Sequence, residues 1–235
     1  MRTGFMMKFL NKLSIVLGLF IVVFGINVLA NESQGFFLGA DAGYGKTKFQ
    51  QDDFGINVRN NVSNLGLRAG YRLSPKHRAY IGYYHQSKIK DTGKVPVTVA
   101  GNLIDNISVE TKYRAHRVIA GYDFTPILVE NIRGVLGVYG GYSFLRANTE
   151  SNFFGDVFSL PSAFDGFMYG TKIGLLYEIA KAEVELGVKL EQIRYKTRDL
   201  KLSFNVGGQK TDVLSEDVRP IQTTGGVYLG FNFKF

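Results

Sequence analysis

The chain has no cysteine and no tryptophan, and only 5 prolines and 3 histidines in 235 residues. Without cysteine there can be no disulfide, no thiol nucleophile and no thiolate-ligated metal. There is also no N-terminal Cys to acylate, which excludes a bacterial lipoprotein. The scarcity of proline, set against 28 glycines, 19 phenylalanines and 13 tyrosines, tilts the composition toward strands. Also missing, beyond Ala30, is any long apolar run or any segment that reads as a capped helix. Apolar residues make up 45% of the chain, so a membrane-crossing segment there has to be diluted by alternation. Phosphate-cradling glycine loops, nucleotide fingerprints and metal-ligand spacings are absent too, and no cofactor or metal is expected.

The one long apolar stretch is at the amino terminus. Arg2, Lys8 and Lys12 accompany Leu13 to Ile26, an apolar run of about 14 residues, short of the roughly 20 that a spanning helix needs. Val28-Leu29-Ala30 follows, with small or modest side chains where leaders are cut. The expectation is a signal peptide over residues 1–30, cleaved after Ala30, and a single domain over 31–235. Removing Arg2, Lys8 and Lys12 from the 28 basic residues leaves 25 against 20 acidic, a surplus of +5. For an exported chain this suits anionic lipid and lipopolysaccharide headgroups, and no nucleic-acid partner is expected.

What is present, repeatedly, is period-two alternation. Phe36, Leu38, Ala40, Ala42 and Tyr44 oppose Gly35, Gly39, Asp41, Gly43 and Gly45. Leu65, Leu67, Ala69, Tyr71 and Leu73 oppose Asn64, Gly66, Arg68, Gly70 and Arg72. A third segment, Ala79 to Tyr84, carries aromatics on both faces, so its facing stays open. Val118, Ala120, Tyr122 and Phe124 oppose Arg117, Gly121 and Asp123. Leu136 to Phe144 and Tyr169 to Ile179 alternate likewise, the latter facing Lys172 and Glu178. Val184, Leu186, Val188 and Leu190 alternate with Glu183, Glu185, Gly187, Lys189 and Glu191. The last strand sets Val227, Leu229, Phe231, Phe233 and Phe235 against Gly226, Tyr228, Gly230, Asn232 and Lys234.

These eight strands are joined by long and tight connections in strict turn. Ser74-Pro75-Lys76-His77, Thr125 to Asn131 and Ala180-Lys181-Ala182 are tight. Gln50 to Asn61, Lys88 to Asn106, Arg146 to Asp165 and Thr197 to Arg219 are long and read as loops, although Val95, Val97 and Val99 suggest paired strands turning near Gly101-Asn102. That order puts both termini and all tight turns on one side and four long loops on the other. Faces rich in glycine with a few mid-strand charges suit the cramped interior of a closed barrel better than a watered sheet surface. The fold class expected is therefore all-β, an eight-stranded antiparallel up-and-down transmembrane barrel with its apolar faces to lipid. Tyr44, Tyr71, Tyr122, Tyr142 and Tyr177 are candidates for aromatic girdles.

Asp41, Arg68, Arg72, Arg117, Asp123, Lys172, Glu178, Glu185, Lys189, Glu191 and Lys234 then point inward as a candidate charge network. Two readings stand: a conducting lumen, or a structural plug that fastens the barrel, which the narrow bore favours. A His85-x-Ser87 pair on one strand could in principle form a nucleophile and base. It is followed by Lys88-Ile89-Lys90, with no acidic residue well placed to orient His85, and no enzyme activity is expected.

The leader, the alternating connection lengths and the closing Phe231-Asn232-Phe233-Lys234-Phe235 resemble the small eight-stranded outer-membrane barrels of Gram-negative bacteria, the opacity-type adhesins and the membrane part of OmpA-like proteins. The resemblance implies a location in the outer membrane, and an assembly signal at Phe231, Phe233 and Phe235 read by the outer-membrane assembly machinery. It also implies structural or surface-interaction roles, adhesin-like, through loops that meet host or envelope surface ligands. A narrow pore for ions or small solutes is the alternative, and a lipid A deacylase the less favoured one, since the lipid A deacylases' His-x-Ser motif continues differently.

Overall fold

A computed structural model of the protein describes residues 34–51, 56–99, 102–153, 156–206 and 209–235; the leader and cleavage point expected from the sequence lie outside them. The strands are β1 (Gly35–Gln51), β2 (Ile56–Ser74), β3 (His77–Val99), β4 (Asn102–Phe124), β5 (Ile127–Val129), β6 (Ile132–Phe153), β7 (Asp156–Ile179), β8 (Ala182–Tyr195), β9 (Arg198–Val206), β10 (Gln209–Val218) and β11 (Ile221–Lys234). Among the described residues there is no helix.

Eight of these are staves. The sheet runs β4-β3-β2-β1-β11-β8-β7-β6, and β4 pairs with β6 to close it. Closure leaves the sheet without a free edge, so the wall's backbone donors and acceptors pair from strand to strand, as the hydrocarbon region requires. The stagger can be read from the register. Phe49 leads across the ladder to Gln222, Ile193, Met168, Gly141, Ile119, Gly82, Arg68 and back to Gly39. The circuit returns to β1 ten residues from its start, 49 less 39. With eight staves this shear tilts the strands about 40° from the barrel axis and gives a backbone radius of about 8 Å.

The wall is inside-out with respect to a water-soluble protein. Leu67 and Phe167 are 67% and 68% exposed, while Arg78 and Glu185 are 1% and 0% exposed. Val184, Leu186, Val188 and Leu190 point outward and Glu183, Glu185 and Glu191 inward, and β11 turns Val227 to Phe235 to the same outer side. The third strand, whose facing the sequence leaves open, buries Arg78, Tyr80 and Gln86 and exposes Tyr83. Inner glycines give these aromatics room. A side chain at Gly121 would run into the Tyr80 ring, and one at Gly66 into the Tyr84 ring.

The long connections differ from the sequence reading. Gln50 to Asn61 is not a loop throughout: β1 and β2 stay paired to Gln51↔Ile56, and 52–55 lie outside the described residues. Likewise β6 and β7 pair through Arg146 to Asp165, out to Phe153↔Asp156. β3 and β4 reach Val99↔Asn102, close to the expected turn. Thr197 to Arg219 holds the separate β9–β10 hairpin. Above the membrane both faces of a strand meet water, so alternation disappears from the sequence while the backbone ladder persists.

The tight side holds two further details. β5 folds back on the start of β6, with Ile127, Leu128 and Val129 exposed and with Pro126 and Leu128 lying over Gly134 on the outer wall. The β7–β8 turn is Ala180-Lys181, where Ala180 takes a positive φ of 49°.

Candidate functional site

The interior is layered along the axis. At the turn end, Glu178 on β7 receives Arg133 Nε at 2.8 Å, Lys234 Nζ at 3.3 Å and Arg72 Nη2 at 3.4 Å, and Arg72 also pairs with Glu183. The next layer centres on Glu185 of β8. Its carboxylate takes Arg68 Nη2 and Lys172 Nζ, each at 2.9 Å, the Tyr228 hydroxyl at 2.7 Å, and Arg78. Asp123 lies beside it, 2.7 Å from Arg78 Nε and 3.0 Å from Lys172 Nζ. Arg68 Nε donates to Asn232 at 2.8 Å, and Tyr84 donates to Asp41 at 2.6 Å. Seven staves, β1, β2, β3, β4, β7, β8 and β11, thus meet in one charge-assisted network.

Loopward, the chemistry changes. Arg117 pairs with Glu191 and with Gln86, and Gln222 donates to Gln86 at 2.9 Å while accepting from Tyr195 at 2.9 Å. Beyond that amide layer the bore is filled by Phe49, Val62, Ile89, Leu145, Phe164 and Ile193, with Tyr113 stacked on Phe49 at 5.0 Å. Between the ionic and amide layers lies a cavity of about 30 Å³, lined by Asp41, Arg68, Arg117, Lys172, Lys189 and Glu191 among others. That is room for about one water molecule.

Ten of the sequence candidates, Asp41, Arg68, Arg72, Arg117, Asp123, Lys172, Glu178, Glu185, Glu191 and Lys234, sit within 4 Å of an opposite charge. Lys189 does not; its ammonium lies 5.5 Å from the centre of the Tyr84 ring. The sequence candidates omit Arg78 and Glu183. Arg78 abuts the Pro75 turn on the strand of open facing, yet it shares parity with Tyr80, Gly82 and Tyr84. Glu183 stands in the same alternating row as Glu185. Of the apolar filling, Ile89 and Phe164 belong to segments that read as loops, whereas Phe49, Val62, Leu145 and Ile193 stand at or near the loopward ends of strands, on the face read as polar or beyond the alternation.

On the outer wall, Tyr83, Tyr122 and Tyr177 are exposed at the ends of the apolar band, as are Tyr44, Phe233 and Phe235. Tyr71 and Tyr142 are half-buried there. Phe36 packs edge-on against Tyr71 at 4.9 Å, and Phe233 against Phe235 at 5.2 Å.

His85 and Ser87 do not form the unit that their spacing suggests. A register shift separates Gln86 from Ile89, which breaks the two-residue alternation just after His85. The His85 ring lies against His116, centroids 4.8 Å apart, and His116 Nδ1 is 2.6 Å from the Tyr83 hydroxyl. Ser87 Oγ accepts the Ser63 N–H at 3.1 Å. No group of three or more His, Asp or Glu side chains among the described residues is placed to hold a metal ion.

Residues 16–235 match the family model described as outer membrane protein beta-barrel domain. Among curated proteins none matches the chain. Solved structures do. The outer membrane protease OmpT of Escherichia coli is 12% identical, with a TM-score of 0.51 over 86% of this chain and 96% of its own. Neisserial surface protein A is 15% identical, with a TM-score of 0.45 over 86% and 97%. Ail, the attachment invasion locus protein of Yersinia pestis, is 13% identical, with a TM-score of 0.43 over 83% and 98%. At such identities the likeness is one of fold.

Proposed function

The chain belongs to the outer membrane β-barrel protein family, and from that premise we propose that it is a sealed barrel whose work is done at the cell surface by its hairpin extensions. The charge network acts as a structural plug. The observation that carries this is the filled bore: ion pairs across the turnward half, amides above them, and aliphatic and aromatic side chains at the loopward end. Among the described residues the cavity between the ionic and amide layers has space for about one water, which supports a bore without a continuous aqueous path. What the barrel provides instead is a rigid mount for paired extensions such as β3–β4, whose ladder continues to Val99↔Asn102.

Planar-bilayer recording tests this directly. Purified protein is expected to give no steady conductance across voltages, and a reproducible open level at the single-molecule scale would overturn the plug. Surface interaction is tested by shortening the β3–β4 extension. Binding to envelope or host surfaces is expected to fall while heat-dependent gel mobility, the sign of a folded barrel, is kept.

Neither His85 nor Ser87 is assigned catalysis. The Ser87 hydroxyl is held by Ser63, and His85 packs against His116 on the lipid-facing wall. Incubation with lipid A is expected to release no acyl chain. Phe231, Phe233 and Phe235 are proposed to be read by the assembly machinery while β11 is unpaired. Deleting Phe235 should lower surface level more than shortening any extension does, and equal levels would refute that ranking.

A further inference from the structure

The outer wall of β3, β4 and β6 changes character over a few residues. Tyr83, Val118 and Tyr142 lie in the apolar band. One step loopward, His85, His116 and Phe144 stand opposite one another in register. The next step brings Arg114 and Arg146, direct partners across the β4–β6 ladder and both exposed, with Lys88 exposed at the register shift on β3. None of these three makes an ion pair within 4 Å with a described residue, although Lys88 is near enough to Glu150 to help lower its carboxyl. The row above is different: Lys112 pairs with Glu150 and, at 3.3 Å, with Glu110, which Lys90 also approaches at 3.8 Å.

Like charges directly opposed in an antiparallel pair repel. One step loopward the same three strands answer their cations with Glu110 and Glu150, so the unanswered row is a local feature and not the habit of this wall. Its height also matters. Strands tilted about 40° rise about 2.5 Å per residue along the axis, which puts Arg114 about 25 Å loopward of Phe124 at the turnward end of β4, the height of the apolar band of such barrels. That is the level of the headgroups bounding the hydrocarbon. Guanidinium groups meet phosphate oxygens through paired N–H donors, and a desolvated phosphate turns the repulsion into two charge-assisted contacts.

We propose that Arg114, Arg146 and Lys88, with His85 and His116 beneath them, form a binding site for the phosphorylated headgroup of an outer-leaflet glycolipid, its acyl chains lying along Tyr83, Val118 and Phe144. The site stands on the outer wall and does not depend on whether the bore conducts. The test uses the full barrel in phosphatidylcholine nanodiscs. It is titrated with bisphosphorylated lipid A, with the same lipid dephosphorylated, and with inorganic phosphate. The expected result is saturable binding of the bisphosphorylated lipid, weakened roughly tenfold or more in the Arg114→Gln/Arg146→Gln double variant. Lys181→Gln, at the opposite rim, should bind as the unaltered protein does. Heat-dependent gel mobility verifies that each variant is folded, and removing the opposed charges should not harm the barrel. Equal binding by the double variant and the unaltered protein overturns the site, as does equal binding of the dephosphorylated lipid. Binding of inorganic phosphate as tight as that of the lipid overturns the lipid assignment.

Discussion

The turnward and loopward halves of the bore solve one packing problem in opposite ways. Turnward, Glu185 alone engages Arg68, Arg78, Lys172 and Tyr228, so each charge depends on several others. Loopward, Leu145, Phe164 and Ile193 fill space without directional partners. An apolar cluster can relax around a loss, whereas a buried charge robbed of its partner cannot. The lesson is that the two ends of the barrel should fail differently.

The largest effect is expected for Glu185→Ala, which takes from Arg68, Arg78 and Lys172 the anion they share, leaves Asp41, Asp123 and Glu183 to hold three cations, and should cost about 3–5 kcal/mol, read from urea unfolding in detergent. Adding Lys172→Met should return part of that loss, and a double variant no better than the single one would break the contrast. Leu145→Ala at the loopward end should cost about 3 kcal/mol through a cavity. Its distinguishing sign is that Leu145→Met restores nearly full stability, as volume-conserving swaps do. A smaller change, of opposite sign, is expected at the turn between β7 and β8. Ala180→Gly should stabilise by about 1 kcal/mol, because a positive φ of 49° suits glycine; an unchanged unfolding midpoint would count against strain there.

The smallest effect belongs to the extensions. Hydrogen bonding to Lys112 holds the Glu150 carboxyl below its ordinary range, and the Lys112 ammonium is raised chiefly by the same contact. The carboxylate's share of stability is therefore present above its unfolded pKa and lost as pH falls through the depressed folded value. The ammonium's share is present below its unfolded pKa and lost as pH rises through the raised folded value. Protection of β4 and β6 amides, taken as exchange relative to the unstructured chain at the same pH, should be greatest between those limits, and Glu150→Gln should remove the acid limb.

How much of this is legible in the sequence depends on what each face meets. Where one face meets lipid and the other a crowded bore, as in β8, Val184 to Glu191 states its facing residue by residue. Tyr80, Tyr83 and Tyr84 do not, because tyrosine serves equally at a lipid interface and inside, where Tyr84 donates to Asp41. The extensions are illegible for a different reason: Gln50 to Asn61 is polar because it is wet, and polarity there conceals strands that remain paired. The interior partners were the hardest to foresee. Arg78 finds Glu183 and Glu185 more than a hundred residues away, and only the shear of the closed sheet puts them at one height.

That separation has a consequence for how the barrel is made. The first four staves contribute Arg68, Arg72, Arg78 and Arg117 to the bore but only Asp41 and Asp123 in return, whereas β7 and β8 supply Glu178, Glu183, Glu185 and Glu191 against Lys172 and Lys189, with Arg133 of β6 and Lys234 of β11 at the turnward end. The first four staves thus carry a cationic surplus that the glutamates of β7 and β8 answer. The first four staves alone would hold uncompensated charge against a membrane, and the later glutamates attract them. Closure is where the electrostatic cost of insertion is relieved, so partly closed forms should be sparse and the final β1–β11 seam should form in one cooperative step.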